Sequence, residues 1–152
     1  VGLVGLEPLV PAADGSTGLG RVGAATDGET LGSFVERVLA SLPATAHGVR
    51  IAGDLHRPVR RVAVCGGSGS DALGAATAAG VDVFVTADLK HHAALDHLAA
   101  GGPALLDVAH WASEWPWLQR AADLLVADLA GIGVTVEARV SDLVTDPWTA
   151  RL

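Results

Sequence analysis

Between Arg61 and Val140, short apolar runs alternate with helical patterns, and this alternation constrains the fold more than any other feature of the chain. Arg61–Cys65, Val81–Thr86 and Ala104–Val108 are β-type runs rich in Val, Leu and Ala. The first is followed by Ala72, Leu73, Ala76 and Ala79 at helical spacing, closed by Gly80. After the second, Ala87–His92 opens a short helix that ends at Gly101 and Gly102. After the third comes a long helix with Trp117, Leu118, Ala121, Leu124, Leu125, Leu129 and Ile132 on its apolar face, Ser113 as its expected cap and Gly131 and Gly133 at its end. Val134–Val140 alternates apolar and polar residues and is expected to be a last strand. Strand and helix in turn predict a layered α/β fold. The run Ala104–Val108 leads straight into His110 and Glu114, where an open α/β sheet binds ligands at its strand ends.

The first half of the chain is less regular. Residues 1–27 contain Gly2, Gly5, Pro8, Pro11, Gly15, Gly18, Gly20 and Gly23 and read as an extended arm with turns. Residues 28–152 are expected to form the α/β domain, with the boundary near Arg21–Thr30. Leu31, Phe34, Val35, Val38, Leu39 and Leu42 recur at helical spacing, which predicts a helix capped by Thr30 and stopped by Pro43. Val49–Ala52 and Arg61–Cys65 flank a polar segment containing Pro58, so they are expected to be a hairpin-like pair or neighbouring strands.

Composition removes several classes of function. A net charge of −7 with scattered arginines argues against a nucleic-acid groove or an anionic membrane surface. No run approaches the roughly 18 apolar residues of a membrane span, and Val1–Val10 has no basic flank that would mark a signal peptide. Cys65 is the single cysteine, which fits a reducing compartment, the cytoplasm. The chain has no Met, so Val1 is either a non-standard start or the beginning of a piece of a longer protein.

Three groups of residues carry chemistry. Gly66, Gly67, Ser68 and Gly69 lie between a strand and a helix, where backbone N–H groups hold a phosphate or carboxylate; the alternative is a tight turn. Asp88, Lys90, His91 and His92 lie at the end of the second strand, either as an anion-binding and proton-transfer group or as a solvated first helical turn capped by Asp88. His110 and Glu114 are spaced as two ligands on one helix face, and an imidazole with a carboxylate suits Zn, Fe, Mn or Co. If Ser113 is the cap, His110 precedes the helix instead. Asp88, His91, His92 and Asp107 are the candidates for further ligands, since a protein site uses three or more. Without a metal, His110 is a hydrogen-bond donor and Glu114 a favourable charge at a helix start. Cys65 reads as a buried thiol, and Trp111, Trp115 and Trp117 either wall a pocket or pack.

The ordered set Gly18-Leu-Gly-Arg-Val-Gly, Arg61-Val-Ala-Val-Cys-Gly-Gly-Ser-Gly, Val85-Thr-Ala-Asp-Leu-Lys-His-His and Asp107-Val-Ala-His-Trp-Ala-Ser-Glu-Trp-Pro resembles the Nif-three-like dinuclear-metal proteins, also called type-2 GTP cyclohydrolase I. The resemblance runs from about Val1 to Trp148 and matches the C-terminal half of that family. It implies a layered α/β sandwich with a mixed sheet, His110 and Glu114 as metal ligands, Lys90 and His92 near the same pocket, and a homohexamer. It also implies metal-dependent hydrolysis of a small, nucleotide-like substrate. The family's other ligands, which include a His-His pair, belong to an N-terminal half that nothing before Gly18 matches. The chain is therefore expected to hold part of a metal site. The other reading is a non-catalytic binding or oligomerisation module that has kept the fold.

Overall fold

The computed structural model describes residues 2–25 and 28–152. The boundary expected between residues 27 and 28 falls beside Thr26 and Asp27, which lie outside the described residues. Six strands form one mixed sheet: β1 (Val4–Pro11), β2 (Gly18–Ala24), β3 (Val49–Ala52), β4 (Arg61–Ser68), β5 (Val83–Ala87) and β6 (Ala104–Val108). Their spatial order is β1-β2-β4-β5-β6-β3. The centre, β4-β5-β6, is parallel, and β2 and β3 flank it antiparallel. This is the layered α/β sandwich with a mixed sheet that the strand–helix order and the motifs predict.

Alternation at period 2 decides what each face of the sheet buries. Val62, Val83, Val85, Leu106 and Val108 point to one side, where they meet Leu31, Phe34, Val35 and Val38 of α1 (Leu31–Ser41). Ala63, Cys65, Phe84 and Leu105 point to the other, against a 3-10 turn (Ser70–Ala72), α2 (Leu73–Ala78) and the start of α3 (His91–Ala99). Burying each large apolar side chain in these layers is worth about 1.5–3 kcal/mol. β5 and β6 are buried along their whole length, as strands covered on both faces must be. Thr30 caps α1: its hydroxyl accepts from the Ser33 amide while the Ser33 hydroxyl accepts from the Thr30 amide.

Two local expectations are corrected. Val49–Ala52 and Arg61–Cys65 are not neighbours: β3 pairs with β6, and two strands separate it from β4. The segment joining them hydrogen-bonds across the start of α1, with Leu31 donating to the Arg57 carbonyl and Gly32 to that of Leu55, and this carries the chain to the middle of the sheet. Val134–Val140 is irregular, because β3 already occupies the outer side of β6 that a following strand would need. The glycine-rich segment is a hairpin, β1–β2, turned by Asp14 accepting from Ser16 and Thr17, and joined to the central sheet through β2. Leu9 and Val22 bury its inner face. Among the described residues no helix is long and apolar enough to cross a membrane.

Candidate metal centre

β4, β5 and β6 run the same way, so their carboxyl ends deliver Gly66–Ser68, Asp88 and His110 to one edge of the sheet. Ala87 is in register with Val108, which sets the two strand ends that carry Asp88 and His110 side by side. Here the chain departs from expectation. Ser113 does not cap a long helix. The helix is split into α4 (His110–Glu114) and α5 (Trp117–Gly131), with Pro116 at the start of the second. The Ser113 hydroxyl donates to the His110 carbonyl and accepts from the Gly67 amide, which ties α4 to the end of β4.

His110 thus opens α4 and Glu114 closes it, one turn apart on one face. Nε2 of His110 lies 3.2 Å from Oε2 of Glu114, and Nδ1 lies 2.6 Å from Oδ2 of Asp88. The imidazole therefore stands between two carboxylates, all three half-exposed. The bond to Asp88 is the main cause that raises the His110 pKa above its ordinary value, helped by the charges of Glu114 and Asp88 and opposed by desolvation.

Asp88 does not cap α3, whose first turn begins beyond Lys90. Its backbone is left-handed, with φ +57°. The turn is braced from within by Asp107, which is buried: Oδ1 accepts from the Leu89 amide at 3.0 Å, and Oδ2 accepts from Nε of Arg50 at 2.7 Å. The aspartate at the end of β6 therefore supports the loop that presents Asp88.

The glycines lie directly under the pair. A Cβ on Gly67 would be 2.6 Å from Oε1 of Glu114 and 3.2 Å from Nε2 of His110, and Gly67 has φ +69°. A Cβ on Gly69 would strike the Thr86 hydroxyl, which donates to the Gly67 carbonyl. The amides of Gly67 and Gly69 already donate, to Ser113 Oγ and the Ala87 carbonyl. Gly66 and Ser68 are exposed at the same strand end. Lys90, His91 and His92 are exposed on the following turn; the rings of His91 and His92 meet edge to face at 5.3 Å, and neither joins His110 in a hydrogen bond or ion pair. Trp111 and Trp115 lie 6.0 Å apart, and with Trp117 they wall a groove of about 800 Å³ that reaches Glu114 and is floored by Gly20 and Arg21 of β2. A second cavity, about 570 Å³, lies on the Asp88 side of His110 and takes in His47, Arg50 and Trp148.

The residue that sequence reading left without its partner is Asp88. The sequence offers it as a candidate ligand or helix cap; its 22-residue separation from His110 hides the contact until the β5–β6 register is known. The donors fit a divalent cation. Two ligands about 2.0–2.2 Å from one ion lie roughly 3.0–3.5 Å apart, and the Nε2–Oε2 separation falls in that range. Among the described residues no group of three His, Cys, Asp or Glu side chains is placed to hold a metal.

Residues 1–147 match a protein-family model described as Duf34/NIF3 (NGG1p interacting factor 3). A Mycobacterium leprae protein named GTP cyclohydrolase 1 type 2 homolog is 50% identical over 140 residues, covering 92% of this chain and 35% of that protein. A Streptomyces coelicolor protein of the same name is 46% identical over 150 residues, covering 97% of this chain and 53% of its own. The crystal structure of a Bacillus cereus protein related to NIF3 superposes with a TM-score of 0.76 at 32% identity, over 86% of this chain and 35% of that one. The chain thus spans about a third to a half of the length of these relatives.

Proposed function

The chain belongs to the Duf34/NIF3 family, and from that premise we propose that it is the part of a metal-dependent hydrolase, similar to GTP cyclohydrolase 1 type 2, that contributes His110 and Glu114 to a divalent-metal centre. The observation that carries this reading is the 3.2 Å approach of Nε2 to Oε2 at the end of a parallel sheet, with Nδ1 held from behind by a carboxylate. Zn, Fe, Mn and Co suit these donors. A bound ion of this kind lowers the pKa of water and polarises a substrate oxygen.

The rest falls to the chain's own side chains. Glu114 has a second carboxylate oxygen, Oε1, facing Gly67, and would be the residue to help hold a second ion if one were bound. Lys90 is the cation nearest in sequence to the strand end and, with His92, is assigned to an anionic group of a small, nucleotide-like substrate. Of the glycine segment, Gly66 and Ser68 are left for that group, because Gly67 and Gly69 have spent their amides within the fold. The tryptophan-walled groove that reaches Glu114 offers a water-poor surface for a planar ring. The remaining ligands come from polypeptide outside the described residues, as a homo-oligomer such as a hexamer or a longer protein would provide. A lone cysteine suits a reducing compartment such as the cytoplasm.

Titration of the purified, metal-free protein with Zn2+ tests this. The expected result is weak uptake by the wild type that is lost from His110→Ala and Glu114→Ala. Metal-free protein that takes up none when supplied would overturn it.

One observation favours the second reading, a non-catalytic binding or oligomerisation module. None of the fifteen residues of α5 is buried, and Trp117, Leu118 and Leu125 lie open. Two metals held tightly per chain would exclude that reading.

A further inference from the structure

We propose that Asp88 is a positioning residue: its carboxylate bonds Nδ1 of His110 and so fixes the ring with Nε2 facing Glu114. The proposal rests on the reading of His110 and Glu114 as a metal-binding pair.

The two contacts made by the imidazole are unequal. Nδ1 is 2.6 Å from Asp88, and Nε2 is 3.2 Å from Glu114. In the neutral ring one nitrogen carries the proton and the other is a donor of electron pairs. The shorter bond is the one that a proton occupies, since a carboxylate–imidazole contact of this length is a charge-assisted hydrogen bond. With Nδ1 engaged by Asp88, Nε2 is the nitrogen turned toward Glu114, the one a metal would meet.

The backbone of Asp88 supports the same conclusion. It is the one residue other than glycine with positive φ among the described residues. Glycine adopts that conformation freely; among L residues Asn and Asp enter it most readily, still at some cost. The strain is held by its neighbours: Leu89 is buried, its amide donates to Asp107, and Nη2 of Arg50 reaches its carbonyl at 3.4 Å. A turn that is braced on the inside and strained at the residue carrying the outward carboxylate keeps that carboxylate for what it touches, and it touches His110.

The test uses the full chain and two variants, Asp88→Gly and Asp88→Asn. Long-range nitrogen–proton NMR of the imidazoles is recorded at alkaline pH, where the rings are neutral, and Zn2+ binding is measured separately. In the wild type His110 is expected as the Nδ1–H tautomer. Both variants should shift it toward Nε2–H and weaken Zn2+ binding by about 10–100-fold. Asp88→Gly should leave the melting temperature unchanged or higher, because it relieves the left-handed backbone. Loss of stability in Asp88→Gly with the tautomer retained would make Asp88 a structural residue and overturn the proposal. So would an unchanged tautomer and unchanged Zn2+ binding in Asp88→Asn. A wild type that binds no Zn2+ removes the metal-pair reading, while the NMR result still decides what Asp88 does to the ring.

Discussion

Gly67 passes so close beneath Glu114 that a single Cβ at that position would stand 2.6 Å from Oε1. The same atom would lie 3.2 Å from Nε2 of His110, so the backbone of β4 forms the floor of the pair. Gly67→Ala is expected to act twice. The carboxylate is the far end of a flexible side chain and will swing away, which spoils its alignment with Nε2. Alanine at φ +69° also adds about 1–2 kcal/mol of backbone strain. Metal affinity should drop roughly tenfold or more, about 1.4 kcal/mol, and the melting temperature by about 3–6 °C. Gly74→Ala, with nothing within 4 Å of the added Cβ, is the control that should do neither.

Asp107 and Arg50 form an ion pair of which only one partner is buried. Their truncations should therefore differ. Asp107→Ala strands the Leu89 amide and loosens the turn that presents Asp88, at a cost of about 2–3 kcal/mol. Arg50 is mostly exposed, and its removal leaves the Leu89–Asp107 bond in place, so Arg50→Ala should cost about 1 kcal/mol or less. Urea denaturation of the two variants checks this. Equal losses would mean that the guanidinium, rather than the carboxylate, organises the turn.

Much of this arrangement is legible in the sequence, and the part that is not is nonlocal. Val62 to Cys65, Val83 to Ala87 and Ala104 to Val108 declare themselves as strands because burial on both faces demands unbroken apolar runs. His110 and Glu114 declare themselves because one helical turn separates them. The partner of β3 does not, since nothing within Val49–Ala52 encodes whether β4 or β6 lies beside it. Val134–Val140 has the alternation of a strand but pairs with none of the six strands. Ser113 has the chemistry of a cap, yet its hydroxyl is used between α4 and β4, a contact 46 residues distant in the chain. Asp88 hides for the same reason.

Burial pushes the Cys65 thiol up from its ordinary pKa. The native protein should therefore react with a thiol-directed reagent far more slowly than the same chain in urea. The linkage has a definite sign. The folded thiol stays protonated after the unfolded one, at a pKa of about 8.5, has begun to ionise. Its contribution to stability is complete below that pH and is lost as pH rises through it toward the folded value. Between pH 7 and pH 9.5 the urea midpoint of the wild type should fall more than that of Cys65→Ala, which has no thiol to titrate. Parallel declines would remove Cys65 from the alkaline limb.

The contrast between α1 and α5 gives the last prediction. Phe34 on α1 is fully buried against the sheet, and Phe34→Ala should cost about 3–5 kcal/mol through lost contacts and the cavity left behind. Leu125 on α5 is 53% exposed and Trp117 is 57% exposed, so this helix does little for the stability of the single chain. Leu125→Glu should accordingly change the stability of the monomer by no more than about 0.5 kcal/mol. An apolar stripe of this size on a helix is costly to leave in water. If copies of this chain meet through it, Leu125→Glu will instead lower the sedimentation coefficient and make the melting temperature of the wild type, but not of the variant, rise with concentration. Velocity sedimentation and a concentration series of melts separate the two outcomes, and a variant that behaves as the wild type in both shows that copies of this chain do not meet through α5.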